Sequence, residues 1–186
     1  MAVTFSASGT ASAGGVQQSY ALVHAALLEG QLSDIRDNTI GTYINETAVV
    51  LPFGDVQVYN VAGTVANSAT TISGASDTVL GVNVLTYVDE TALNGDSRPG
   101  VKIDQVMNVA NEGAVAVYVT GTVTPASTVR VLYSASGTGK AGQFSHAFAS
   151  GKTVRLSNAR FLSSTTGSGL AILELNGPSF TLSADS

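Results

Sequence analysis

The sequence predicts an all-β protein: a small antiparallel β-sandwich or barrel, jelly-roll-like arrangements included, with an N-terminal arm and at most one short helix. Three observations predict it. From about residue 40 the chain is a succession of short runs rich in Val, Ile, Thr, Tyr and Phe, several of them alternating with period two. Polar turn signals separate the runs: "NGD" at 94–96, "NEG" at 111–113, "TPAS" at 124–127, "SGTG" at 136–139 and "NGP" at 176–178. Only one stretch has helical spacing. Many short strands without a long helix define sandwiches and small barrels.

In chain order, residues 1–15 are small, polar and glycine-rich, and read as a flexible arm. Residues 16–28 carry apolar groups at Val16, Tyr20, Val23 and Leu27, a helical stripe, and Gly30 stands where such a helix would stop. The same segment also fits an extended arm that orders on a partner. These readings divide the chain into an arm or short helix, 1–28, and a β-rich domain, 29–186. "AVVLPFGDVQVYN" and "TVLGVNVLTYVD" are β-branched and aromatic. In "GAVAVYVTG", Val115, Val117 and Val119 face one way and Ala114, Ala116 and Tyr118 the other. "TVRVLYSA" alternates in the same manner, and "LAILELN" closes the set. A short insertion fits around 89–102.

The chain of 186 residues suits one domain with an arm. Charged residues are only 11%, against about 25% in ordinary domains, so Ser, Thr, Asn, Gln and Gly must cover much of the surface. There is no Cys, which removes disulfides, thiolate metal sites and a cysteine nucleophile. No apolar run reaches the ~18 residues that cross a bilayer as a helix, and the N-terminus lacks the pattern of a signal peptide. Synthesis in a cytoplasm is expected, which leaves the sequon at Asn45 silent. Residues 1–112 hold eleven acidic and three basic residues, a net −8, and residues 113–186 hold two and five, a net +3. That division suits contact between copies or with a charged partner. The few scattered basic residues and a pI near 4.7 do not resemble a nucleic-acid footprint.

Three candidate sites carry little chemistry. Gly137, Gly139 and Gly142 match G-x-G-x-x-G, but no helix pattern follows to receive a pyrophosphate, position 162 is Leu rather than an acid, and only 44 residues remain after Gly142. The Walker pattern fails at Ser134 and Ala141. A wide structural turn, its glycines permitting positive φ, is expected instead. His24 and His146 lack a G-x-S-x-G elbow to work with and read as surface or interface groups. Asp89, Glu90, Asn94 and Asp96 are oxygen donors of the kind calcium takes, without the order of an EF-hand loop. No catalytic residue, cofactor or metal is expected.

"EGQLSD" at 29–34 followed by "GTYINETAVVLPFGDVQVYN" at 41–60 resembles the opening of the capsid cement proteins of tailed bacteriophages. "LGVNV" at 80–84, the succession from "NEGAVAVYVTG" into "SGTGKAGQF", and "NARFLSSTTGSGLAILELNGP" resemble later strands of that family. The resemblance covers roughly residues 29–178. It implies a non-enzymatic virion protein, made in the host cytoplasm, that binds the outside of a phage head and bridges major capsid subunits. Its partners would be the major capsid protein and itself, as a dimer or trimer, with no nucleic acid and no membrane. Val16, Tyr20, Val23 and Leu27 are the expected interface residues. An adhesin-like or tail-associated β-sandwich is the alternative.

Overall fold

The computed structural model describes residues 27–34, 37–86 and 93–184. Among them are thirteen strands and no helix. The first seven are β1 (Thr39–Asn45), β2 (Leu51–Pro52), β3 (Val56–Tyr59), β4 (Ser68–Thr71), β5 (Val79–Asn83), β6 (Gly100–Val101) and the long β7 (Val106–Val119). Then come β8 (Arg130–Leu132), β9 (Phe144–Ser145), β10 (Thr153–Leu156), β11 (Ala159–Phe161), β12 (Gly169–Asn176) and β13 (Leu182–Ala184).

Five strands close a ring: β1 pairs with β4, β4 with β3, β3 with β5, β5 with β7, and β7 with β1 again. All these pairings are antiparallel except β1–β4. The second half of β7 leaves the ring and runs through a sheet ordered β12–β7–β9–β8–β10–β13, with β11 outside β12. β2 and β6 form a separate pair. The expected all-β architecture is therefore present, as a barrel joined to an open sheet by one shared strand. At ~3.3 Å per residue, the fourteen residues of β7 span roughly 45 Å.

Hydrophobic patterning explains why β7 can serve both units. Val115, Val117 and Val119 join the larger core with Val56, Val82, Phe144, Phe161 and Leu173. Met107 and Val109 join a second core with Leu51, Phe53 and Val101. Ala114 and Ala116 are also buried, so this stretch has no solvent face. The boundary between the acidic and basic halves of the sequence falls at Gly113, where the strand passes from ring to sheet.

The "NEG" signal at 111–113 marks no turn, because β7 continues through it. Gly113 has φ 119, and a Cβ there would fall 1.8 Å from Asn38 Oδ1. The glycine admits a close neighbour, and β1 shifts register beside it, between Thr39 and Ile40.

Residues 28–33 add a further rung. Gly30 N–H donates to Ala116 O and Ala116 N–H to Gln31 O, both at 2.8 Å, and Ser33 N–H donates to Ala114 O at 2.9 Å. Leu32 bridges Val115. On the other side Leu85 N–H reaches Gly30 O at 2.9 Å. The segment thus covers the edge of β7 between the point where β5 pairs, at Ala110, and the point where β9 pairs, at Val119. Of the expected helix, residues 16–26 lie outside the described residues. Leu27 and Leu28 are described, and neither is helical.

Candidate functional site: a buried ion cluster beneath the glycine-rich turn

Four stretches far apart in sequence meet at one set of charges. Glu29 comes from the segment just described, Asp55 from the turn between β2 and β3, Arg98 from the loop before β6, and Gly142 from the end of the glycine-rich stretch. Arg98 Nη1 donates to Asp55 Oδ2 at 2.7 Å and Nη2 to Asp55 Oδ1 at 2.6 Å. Nη2 and Nε also donate to Glu29 Oε2, at 2.7 and 3.1 Å. The side chains of Asp55 and Arg98 are only 2% and 13% exposed. Gly142 forms the roof: its carbonyl accepts from Val56 N–H at 2.9 Å. With φ +92, it leaves no room for a Cβ beside Asp55.

Above the cluster Lys140 Nζ stands 2.8 Å from Asp96 Oδ1, on the surface. Three carboxylates therefore share two cations. Burial pushes the Asp55 carboxyl up to about 7, against the opposing pull of Arg98's hydrogen bonds and charge; Glu29 and Asp96 push it further the same way. Burial also works against the Arg98 charge, but Asp55 and Glu29 together hold the guanidinium above its ordinary value. Both Asp55 oxygens are occupied by Arg98. The cluster joins three segments of the chain, at Glu29, Asp55 and Arg98.

The structure assigns the glycines of "SGTGKAGQF" different roles. Gly137 has φ 59 and open space around it, so conformation alone requires it. Gly139 closes a bridge with Ser136 and does not have positive φ. A Cβ there would lie 2.6 Å from Thr120 Cγ2, so close packing requires this glycine. Lys140 N–H, which a phosphate cradle would need, donates to Gln143 Oε1 at 2.9 Å.

The other candidates are dispersed. Val16, Tyr20, Val23 and His24 lie outside the described residues, and Leu27 is half-buried. Asp89 and Glu90 also lie outside them. Asn94 Oδ1 accepts from Asp96 N–H and Arg98 N–H, and Asp96 faces Lys140. The His146 carbonyl accepts from Arg130. Asn45 of the sequon is fully buried, its Nδ2 donating to Val49 O and Val101 O at 2.8 and 2.9 Å, which closes it to a glycan. A cleft is lined by Asp37, Glu112, Ala114, Glu174 and Leu175. Two of its acids are engaged across strands, Glu112 by Thr39 and Glu174 by Arg160. Sequence reasoning missed the Glu29–Arg98–Asp55 cluster altogether; the separation of its members leaves no local motif.

The described residues thus form an all-β barrel and sheet with an ion cluster buried where distant segments meet. The chain belongs to the structural cement protein family of phages (E217 gp24/Pam3 gp6), whose pattern matches residues 16–176. It is similar to a chain in the capsid of Myoviridae phage XM1, with a TM-score of 0.60 and 16% identity over 84% of this chain and 95% of that one. At that identity the likeness concerns the fold. No curated protein matches the sequence.

Proposed function

We propose that this protein is a capsid cement that binds the outer surface of a phage head, bridges neighbouring major capsid subunits and associates with itself. Membership of the cement family carries the reading, and it favours the capsid over the adhesin or tail alternative. Two features support it. The larger core draws side chains from both ring and sheet, and the buried Arg98 ties Glu29 to Asp55 across three segments, as suits a load-bearing part. The sequence divides into an acidic half, 1–112, and a basic half, 113–186, and opposite charges of this kind suit contact between copies. Residues 1–28, with Val16, Tyr20, Val23 and Leu27, are the proposed contact arm. Repeated over a lattice, weak contacts of this kind gain avidity.

Electron microscopy of the native particle tests the proposal. Density for this fold is expected on the outside of the shell, touching more than one major capsid subunit. Density confined to the tail, or to a single subunit per copy, overturns the bridging role.

A further inference from the structure

We propose that Asn94 is a site of self-modification, at which the folded protein deamidates through attack by its own backbone. Two Asn-Gly pairs occur among the described residues, Asn94–Gly95 and Asn176–Gly177, and the fold treats them oppositely. The chemistry is intramolecular acyl transfer. The Gly95 amide nitrogen loses its proton to a solvent base and bonds to Asn94 Cγ, placing negative charge on Oδ1. The Cγ–Nδ2 bond then breaks, Nδ2 takes a proton from solvent and leaves as ammonia, and a five-membered succinimide remains. Water opens that ring at either carbonyl, giving aspartate or isoaspartate. The net change is water in, ammonia out and one added negative charge, with no redox partner.

The loop at Asn94 supplies each requirement. Oδ1 already accepts two backbone hydrogen bonds, from Asp96 N–H at 3.0 Å and Arg98 N–H at 2.9 Å. Donors on the oxygen that gathers charge draw electrons from Cγ and stabilise the tetrahedral oxyanion. The nucleophile is uncommitted: Gly95 N–H donates to no acceptor among the described residues. Gly95 is exposed, and nothing lies within 4 Å of where its Cβ would stand. The ends of the loop are fixed by Asn94 N–H to Arg98 O at 2.9 Å and by the Leu93–Pro99 bridge, which keeps Asn94 Oδ1 on its two donors.

Asn176–Gly177 lacks these features. Gly177 N–H, the would-be nucleophile, donates to Asn111 O at 2.8 Å. Asn176 ends β12 in register with Glu112, and a Cβ at Gly177 would collide with Asn111 O at 2.3 Å. Attack there requires the strand end to unpair first. The new charge at residue 94 would stand on the Arg98 and Asp96 backbone N–H groups, in the loop that carries the ion cluster's Arg98. That adds an acid to a loop whose neighbouring cluster already holds more acid than base.

The full-length protein, held folded at mildly alkaline pH and sampled over time, is to be digested and mapped by mass spectrometry. A parallel sample is kept unfolded in guanidinium. In the folded sample Asn94 is expected to convert at least about tenfold faster than Asn176, about 1.4 kcal/mol of barrier, with both aspartate and isoaspartate found. In guanidinium the two rates should approach one another. Gly95→Ala has room for its methyl and should fold normally while slowing Asn94 conversion. Equal rates in the folded protein, or conversion of Asn94 slower folded than unfolded, overturn the proposal: the hydrogen bonds on Oδ1 would then restrain Cγ rather than activate it.

Discussion

Arg98 holds Asp55 in a two-point fork, Nη1 to Oδ2 at 2.7 Å and Nη2 to Oδ1 at 2.6 Å, with the carboxylate almost wholly removed from water. The remaining Arg98 donors reach Glu29. Removing the cation leaves two carboxylates facing each other in a dry site. Arg98→Ala is therefore expected to lower unfolding stability by about 3–5 kcal/mol, measured by urea denaturation at pH 8. A change under ~1 kcal/mol would mean that the fork behaves as a surface pair.

The same pair sets a pH dependence. Asp55 titrates near 7 in the folded protein, well above the ordinary 3.8 it recovers on unfolding. A raised pKa means that the folded state binds the proton more tightly. The stabilisation from protonation is full below the unfolded value and is lost as pH rises through about 7. From pH 8 to pH 5, Tm should rise more for the native protein than for Asp55→Asn, whose amide is neutral throughout. Other groups titrate in both proteins, so the difference between the curves isolates Asp55. A native curve that falls relative to Asp55→Asn over this range refutes the assignment.

Gly137 and Gly139 separate conformational strain from lack of space. Gly137→Ala places a methyl in open solvent at φ 59 and should cost about 1–2 kcal/mol through the backbone alone. Gly139→Ala drives a methyl against Thr120 Cγ2, with an expected cost of about 1–3 kcal/mol. Thr120→Ser removes that Cγ2. It should recover much of the loss at Gly139 and none of the loss at Gly137, in a double-mutant comparison of thermal unfolding. Rescue of both, or of neither, contradicts the distinction.

The sequence revealed the strands and concealed their partners. Alternation in "LAILELN" located β12 because every second side chain is buried; in "GAVAVYVTG" residues 114–117 are all buried, and the β-branched residues marked β7. "NEG" read as a turn because glycine beside polar residues favours one locally. Here the glycine serves a close approach by Asn38, which depends on a residue 75 positions away. The ion cluster was hidden for the same reason: Glu29, Asp55 and Arg98 look like scattered surface charges until the fold brings them together. The G-x-G-x-x-G spacing was legible as a structural turn because no helix pattern follows it; that φ requires Gly137 and Gly142 while packing requires Gly139 was not legible, since Thr120 approaches only in the fold.

Residues 28–33 suggest where arm and domain divide, and two truncations test the division. Removing residues 1–28 leaves Glu29 to pair with Arg98 and leaves the backbone bonds of Gly30, Gln31 and Ser33 to β7 and Leu85. That protein is expected to fold with nearly unchanged Tm but to lose shell binding or self-association, because the apolar stripe from Val16 to Leu27 is gone. Removing residues 1–34 is different in kind. It deletes four backbone hydrogen bonds, each worth roughly 0.5–1.5 kcal/mol. It also takes one of Arg98's two carboxylate partners and bares the edge of β7 at Ala114 and Ala116, in the middle of the sheet rather than at its margin. A steep fall in stability, with aggregation through the opened strand, is the expected result. If the shorter truncation also unfolds the protein, the stripe belongs to its own core. If it folds and decorates shells at full occupancy, residues 1–28 are not the contact arm.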